Sequence, residues 1–391
     1  MDSVAVGGPR TGSRRTAPSL SYRLCSGLAA VLISGVLASC CETDRSPVTF
    51  VLVPDLHLFD EGKPRKPGEL PDHLLWQDDE RAFVWAIDTI SKIKGLKFVV
   101  FAGDLGLEMT GPYWESKATD YFAQKLSGLH VDHILFVPGN NDLLNEEPKD
   151  VGRYRSFVAE LARKLTPKKV VDLAQGGVDI DGAGIHGLDT ATFKNSISCR
   201  LSFKPRPNPV PKGWTVVDLP KAPVQSLWCQ DGDDIDKRRT YQLDEMRRVA
   251  NEINANPEKP HLLFTHIPPL DDPFSSEGEP LPSNLRLHTL DRWKAKILPL
   301  PWNLDEQTLD MWVEHVRPRT KCMFAAHFHT SNEASYGIDG VLKGNCDAKV
   351  VVSPPLAIKF QSSAKPPMQG FLEGTIAKDG TISYEIVRYP Q

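Results

Sequence analysis

The sequence predicts an α/β fold of βαβ units around a buried sheet, in which polar residues collect at the strand ends. Three observations predict it. Apolar, β-branched runs of strand length, Val48–Val53, Phe98–Phe101 and Ile134–Val137, alternate with segments of helical period at the spacing of βαβ units. Each run stops at polar residues, Asp55-Leu56-His57, Gly103-Asp104 and Gly139-Asn140-Asn141-Asp142. Open α/β sheets place their sites at such C-terminal strand ends. Two later runs, His261–Phe264 and Lys321–Ala325, stop in the same way at His266 and at His327-Phe328-His329.

Of the 391 residues, 40% are hydrophobic and 25% charged, and the formal net charge is −4. This is globular composition. Slight acidity without a basic stripe excludes a general nucleic-acid binder. The first element is separate from the fold. Arg10, Arg14, Arg15 and Arg23 form a positive region, followed by an apolar run from Leu24 to Ala38. That run is short against the roughly 20 residues of a membrane span and reads as an export signal. Its end, Leu37-Ala38-Ser39-Cys40, resembles the lipobox of bacterial lipoproteins. The resemblance implies residues 1–39 as signal peptide, a lipid on Cys40, residues 40–47 as tether, and a lipid-anchored place in the bacterial cell envelope.

The domain then runs from 48 to 391. A helix is expected over Asp79–Lys94, with Phe83, Ile87 and Ile90 on one face and Gly95 as its stop. Further helices are expected over Glu115–Leu129, Val151–Leu165, Tyr241–Ile253 and Glu306–Val316, and short strands near Val170 and over Val178–Gly187. Residues 194–239, rich in Pro, Lys and Trp, read as a long insertion shaping the substrate side, and residues 270–304 as a second long loop. Closing strands near Lys349–Ser353, Phe371–Ala377 and Ile382–Arg388 are expected to complete the second sheet. Outside the N-terminal segment stand Cys199, Cys229, Cys322 and Cys346. Neighbours could pair, 199 with 229 and 322 with 346, or all four could be buried thiols.

In an extended backbone, residues i and i+2 project to one side, so Asp55 and His57 can close on one ion. A carboxylate beside an imidazole suits Mn, Fe, Zn or Co better than Ca or Mg. An Asp-x-His triplet alone occurs often by chance, and a strand ending in Gly-Asp is usually only a tight turn. Five polar strand ends in one order are neither. His73, His130, His133, His186, His261, His288 and His315 read as surface or packing histidines. Lys63, Arg65, Lys66 and Lys237-Arg238-Arg239 could meet a polyanion, or be solvated faces.

The five blocks resemble the calcineurin-like metallophosphoesterases over nearly all of Val48–Pro390. The resemblance implies a two-sheet αββα sandwich and a dinuclear centre of two divalent ions with a bridging hydroxide. Asp55, His57 and His329 would hold the first ion, Asp104 would bridge, and Asn140, His266 and His327 would complete the second. It implies hydrolysis of a phosphodiester. A polyphosphate or nucleotide phosphoanhydride, or a non-catalytic lipid-anchored binding role, are alternatives. Phosphorylated small molecules, lipids or polyphosphate are the implied substrates, and the N-terminal lipid the implied membrane contact.

Two positions depart from the family. Asn141 stands where a catalytic His is usual, and it can donate a hydrogen bond but not a proton. A group from the long insertion, or Asp142, could supply the proton instead. Leu107 replaces the metal-binding Tyr of the purple acid phosphatases, which disfavours that branch. Gly187-Leu188-Asp189-Thr190 with Phe193-Lys194-Asn195, Thr265-His266-Ile267-Pro268-Pro269, Ser353-Pro354-Pro355 and Gly370-Phe371 are similar to acid-sphingomyelinase-like phosphodiesterases. Asn140-Asn141-Asp142 also resembles the endopolyphosphatases of that branch.

Overall fold

Alternate side chains of one strand enter two different cores, and that period of two organises the molecule. In β1 (Val48–Val53) Phe50 and Leu52 point into one cluster and Val51 and Val53 into another. In β2 (Leu96–Phe101) Phe98 and Val100 divide from Val99 and Phe101 in the same way. β3 (His133–Phe136) follows, with Leu135 on one side and Ile134 and Phe136 on the other. Strands covered on both faces read as continuous apolar runs, and these do.

The computed structural model describes residues 46–58, 72–107, 112–143, 148–192, 199–202, 206–212, 214–218, 226–230, 234–267, 311–327, 334–335, 338–339, 343–346, 349–357 and 369–390. The first sheet is ordered β14 (Lys343–Cys346), β17 (Ile382–Arg388), β16 (Gly370–Ile376), β1, β2, β3, β4 (Lys169–Asp172). The second is ordered β15 (Lys349–Val352), β11 (Cys322–Ala325), β10 (His261–Thr265), β6 (Ala183–Leu188), β5 (Val178–Ile180). Smaller sheets join β7 (Cys199–Ser202), β9 (Ser226–Gln230) and β8 (Trp214–Asp218), and β12 (Ala334–Ser335) with β13 (Ile338–Asp339).

The middle core joins the two sheets, with Phe50 and Phe98 of the first against Phe264 and Phe324 of the second. Phe50 stacks on Phe98 at 5.2 Å and meets Phe324 edge-on at 5.3 Å. Helices α1 (Asp72–Ile90), α2 (Pro112–Ser127) and α3 (Pro148–Lys164) cover the first sheet through Phe83, Phe122 and Phe157. Helix α4 (Asp234–Asn254) and a π-turn over Trp312–Val316 cover the second through Met246, Val249 and Trp312. The layers are therefore helix, sheet, sheet, helix, as the sequence predicts.

Three expectations are corrected. Of the closing strands only β15 joins the second sheet; β16 and β17 extend the first. β16 pairs antiparallel with β1, Val48 opposite Ile376, and covers an edge that would otherwise be open. The insertion is not all loop, since β7, β8 and β9 pair antiparallel within it and α4 starts at Asp234. Helix α1 begins at Asp72, earlier than the apolar period alone indicated.

The open cysteine question is half resolved. Cys322 and Cys346 form a disulfide, Cα atoms 5.6 Å apart, which ties a strand of the second sheet to one of the first. Cys199 and Cys229 stand opposite each other in the β7–β9 register. His186 and His261 are packing histidines, both buried. His186 Nδ1 lies 2.9 Å from Glu252, its Nε2 lies 3.0 Å from His261, and His261 Nε2 lies 2.9 Å from the Asn256 carbonyl. His130 and His315 are exposed. Cys40, Lys63, Arg65, Lys66, His288, Asn195 and the loop 270–304 lie outside the described residues. No helix among the described residues is long and apolar enough to cross a membrane.

Candidate metal centre

Each site residue follows the last apolar position of a strand, so the sheets themselves carry the side chains to one place. Asp55 and His57 follow β1, Asp104 follows β2, and Asn140 opens a 3-10 turn after β3. His266 follows β10 and His327 follows β11. β1, β2 and β3 are parallel neighbours, and so are β10 and β11. The strand ends of the two sheets meet where His327 N–H donates to both Asp55 oxygens, at 3.2 and 3.1 Å. The Asp55 carbonyl accepts from Ala357 N–H at 2.9 Å, so the loop after β15 braces the same corner.

The backbone at these positions is strained. Asp55 (φ 45°), His57 (45°), Asp104 (51°) and His327 (73°) all occupy the left-handed region, which costs a side-chain-bearing residue of order 1–3 kcal/mol. Among the described residues only Asp181, in a turn, shares that conformation without glycine. Strain gathered on four converging polar residues and on almost nothing else marks a functional centre.

Two groups of candidate ligands emerge, and one residue belongs to both. Asp55, His57 and Asp104 offer donor atoms within 4.8 Å of one another, and so do Asp104, His266 and His327. Asp55, His57, Asp104 and His266 are all at most 1% exposed, whereas Asn141 and His327 are half-buried. His266 donates from Nδ1 to the Ala102 carbonyl at 2.7 Å, which leaves Nε2 of the neutral ring as a lone pair. That lone pair lies 3.1 Å from Asn140 Oδ1, 3.3 Å from Asp104 Oδ1 and 3.1 Å from His327 Nδ1. With Nε2 unprotonated, these are the atoms that a cation standing among them would meet.

The protonation energetics agree. Burial opposes ionisation of Asp104, but His266, His57 and His327 outweigh it and hold its carboxyl well below the usual carboxylate range. Burial likewise disfavours charge on His266, yet Asp104 and Asp55 raise its proton affinity. A pocket that draws protons onto a buried imidazole is short of positive charge. Imidazole and carboxylate donors of this kind suit a divalent transition ion. The described residues therefore fit a metal centre.

Asn141 is turned toward Asp104. Its backbone N–H donates to Oδ1 and its amide Nδ2 to Oδ2, both at 2.8 Å. Asp142 is buried and accepts from Leu105 N–H at 2.8 Å and Gly139 N–H at 3.0 Å, so it laces the β2 and β3 loops together. With both oxygens accepting, it is placed as a brace and not as the replacement proton donor. Sequence reasoning did not see this role, because a carboxylate in a Gly-Asn-Asn-Asp run carries no local sign of what it accepts. Leu107 is buried in the helix-side core. His329 lies outside the described residues.

A search of curated proteins finds no match. A solved structure similar to this chain is the NAD nucleotidase (NadN) of Haemophilus influenzae, at 12% identity and a TM-score of 0.37. The match covers 88% of this chain and 50% of that one, so this chain spans half of that structure's length. The sequence profile of the calcineurin-like phosphoesterases matches residues 48–353, from the start of β1 to just past the end of β15. With that span enclosing every described strand end that builds the centre, the chain belongs to the calcineurin-like phosphoesterase family.

Proposed function

We propose that the chain is a phosphodiesterase that works with two divalent ions, of Mn, Fe, Zn or Co type. Asp55, His57 and His329 would hold one, Asn140, His266 and His327 the other, with Asp104 shared. One observation carries the reading, namely that Asp104 belongs to both ligand groups. Bound there, two divalent ions supply Lewis-acid polarisation of the phosphoryl group and an activated water at neutral pH. Among the described residues the chain would hold them against two carboxylates, Asp55 and Asp104, since Asn140 contributes a neutral oxygen. Four positive charges against two negative ones leave the centre attractive to a phosphate anion. Substrate approaches from the side of Asn141 and His327, the half-buried members.

Asn141 favours a second reading. Its amide is committed to Asp104 and has no proton to give to a departing alkoxide, which general acid catalysis would speed by ~10²–10⁴-fold. Leaving groups of low pKa need no such help, which supports phosphoanhydrides, polyphosphate or nucleotides, as substrates. The test is turnover of bis-p-nitrophenyl phosphate beside metal analysis of the purified protein, followed by a series of aryl and alkyl phosphodiesters. A steep dependence on leaving-group pKa, reduced in Asn141→His, is expected. A flat dependence would refute the Asn141 argument, and no turnover with full metal would favour the non-catalytic binding role.

The export reading stays a proposal of the same kind. Cys40 would carry the lipid and hold the enzyme at the bacterial cell envelope, within reach of lipid phosphodiesters. Intact-mass spectrometry should find a mature chain starting at Cys40 with a diacylglyceryl adduct, and Cys40→Ser should abolish it. An unmodified Cys40 would end the proposal.

A further inference from the structure

Beside the centre, and touching none of its ligand atoms, lies a buried ring of hydrogen bonds whose protons are all accounted for. β6 and β10 are parallel, with Leu188 opposite Thr265, so Asp189 and Thr190 emerge next to His266 and Ile267. Thr265 Oγ1 donates to the Ile267 carbonyl at 3.1 Å, and Ile267 N–H donates to Thr190 Oγ1 at 2.9 Å. Thr190 and Thr265 hydroxyls lie 2.8 Å apart. Because Thr265 has spent its proton on Ile267, Thr190 must donate in that contact. Each hydroxyl thus donates once and accepts once. The ring closes on the residues immediately before and after His266.

The turn presenting Thr190 is itself anchored. Asp189, 2% exposed, accepts from Ala191 N–H and Thr192 N–H at 2.9 Å, from the Thr192 hydroxyl, and from Tyr241 Oη of α4 at 2.8 Å. Burial and the Asp189 charge raise the Tyr241 hydroxyl's pKa, which keeps it a donor. A rigid support therefore runs from α4 through Asp189 and Thr190 to the backbone that carries His266. The imidazole needs it, because its only neutral-form lone pair must point at the crowded centre while Nδ1 serves Ala102.

We propose that Thr190 is a positioning residue that, through its ring with Thr265 and Ile267, aims His266 Nε2 at the second ion. This rests on the reading of His266 as a ligand, and the experiment separates the two. Mn²⁺ affinity and stoichiometry are measured by competition with a chromophoric chelator, on the full-length protein and on Thr190→Val, Thr190→Ser and His266→Ala. Supporting partners of metal ligands typically contribute ~10–100-fold in affinity, so Thr190→Val should lose ~10-fold or more at one of two Mn²⁺ sites. Thr190→Ser, which keeps the hydroxyl, should restore it. Thr265→Val breaks the same ring at another member and should reproduce the loss even if Thr190→Val does not fold.

Tyr121→Phe, which loses a 3.0 Å bond to Glu80 between α2 and α1, is the control. It should lower the melting temperature without altering Mn²⁺ affinity. If His266→Ala loses a site and the threonine variants do not, the positioning role is wrong and the ligand reading stands. If affinity falls equally in Tyr121→Phe, or Thr190→Ser fails to rescue, the ring is merely structural and the inference falls. If His266→Ala itself leaves both sites intact, the ligand reading fails and takes this one with it.

Discussion

Asp104→Asn should abolish most turnover and lower bound metal while the protein stays folded. Asp104 is 1% exposed, within 3.6 Å of His57 Nε2 and 3.3 Å of His266 Nε2, and among the described residues it alone joins both ligand groups. The substitution keeps the volume but replaces an oxygen by a donor. That donor faces either the backbone N–H or the amide of Asn141, both of which now donate to the carboxylate. A lost buried hydrogen bond of this kind costs ~1–3 kcal/mol, offset in part because a buried charge has been removed. Function is affected more severely. Supporting groups alone are worth ~10–100-fold in affinity, so loss of a carboxylate that, on the proposed reading, serves two ions should cost more than ~10²-fold in kcat/KM. Inductively coupled plasma analysis of metal per chain, with turnover on the same sample, checks it. Near-native turnover with full metal would remove Asp104 from the bridging position.

Gly139→Ala, a change of one methyl, should be nearly as damaging. Gly139 has φ −95° and ψ 164°, extended backbone open to any residue, so no conformational demand explains a glycine there. The demand is space. A Cβ at Gly139 would lie 2.0 Å from the Asp104 nitrogen and 2.3 Å from its Oδ1. Gly103 faces it with the same problem, its own Cβ falling 2.4 Å from the Gly139 Cα. All are backbone atoms except Asp104 Oδ1, which the Asn141 N–H holds in place. The β2 and β3 loops must part by about 1 Å to admit the methyl, and displacements of that size at a reacting centre cost ~10²-fold. Overpacking should cost a further ~1–3 kcal/mol of stability. Gly152→Ala is the control: it sits in α3 with nothing within 4 Å and should gain ~0.5–1 kcal/mol. A Gly139→Ala enzyme with native kcat/KM would mean that the two loops are not the rigid frame inferred here.

The apolar runs alone were enough to place β1, β2, β3, β10 and β11, because strands buried on both faces advertise themselves by unbroken hydrophobicity. The polar residues after each run were legible because they interrupt that hydrophobicity, at Asp55, Asp104 and Asn140. That reading gave the five polar strand ends; the choice of Asp55, His57, Asp104, Asn140, His266 and His327 within them came from the family resemblance, and these six described residues do converge. Strand partners were not legible. The pattern of β16 suits either sheet, and it joined β1 because an open edge there was available, a fact about the assembled sheet. Residues 199–230 misled for the opposite reason: four- and five-residue strands in a proline-rich stretch leave too short a period to detect.

Sequence by itself thus determined the fold class, the strands that carry the centre and the residue types delivered there, since each depends on neighbours along the chain. Only the tertiary structure decided how those residues meet. The pairing of Cys322 with Cys346, the turning of Asn141 onto Asp104, the brace of Asp142 and the threonine ring beside His266 all join residues by contact across the fold. Asn141 and Asp104 are 37 positions apart and Thr190 and Ile267 77 apart, beyond any local pattern. A hydrogen bond is fixed by distance and angle within a few tenths of an ångström, and no spacing of letters encodes that until two sheets have packed.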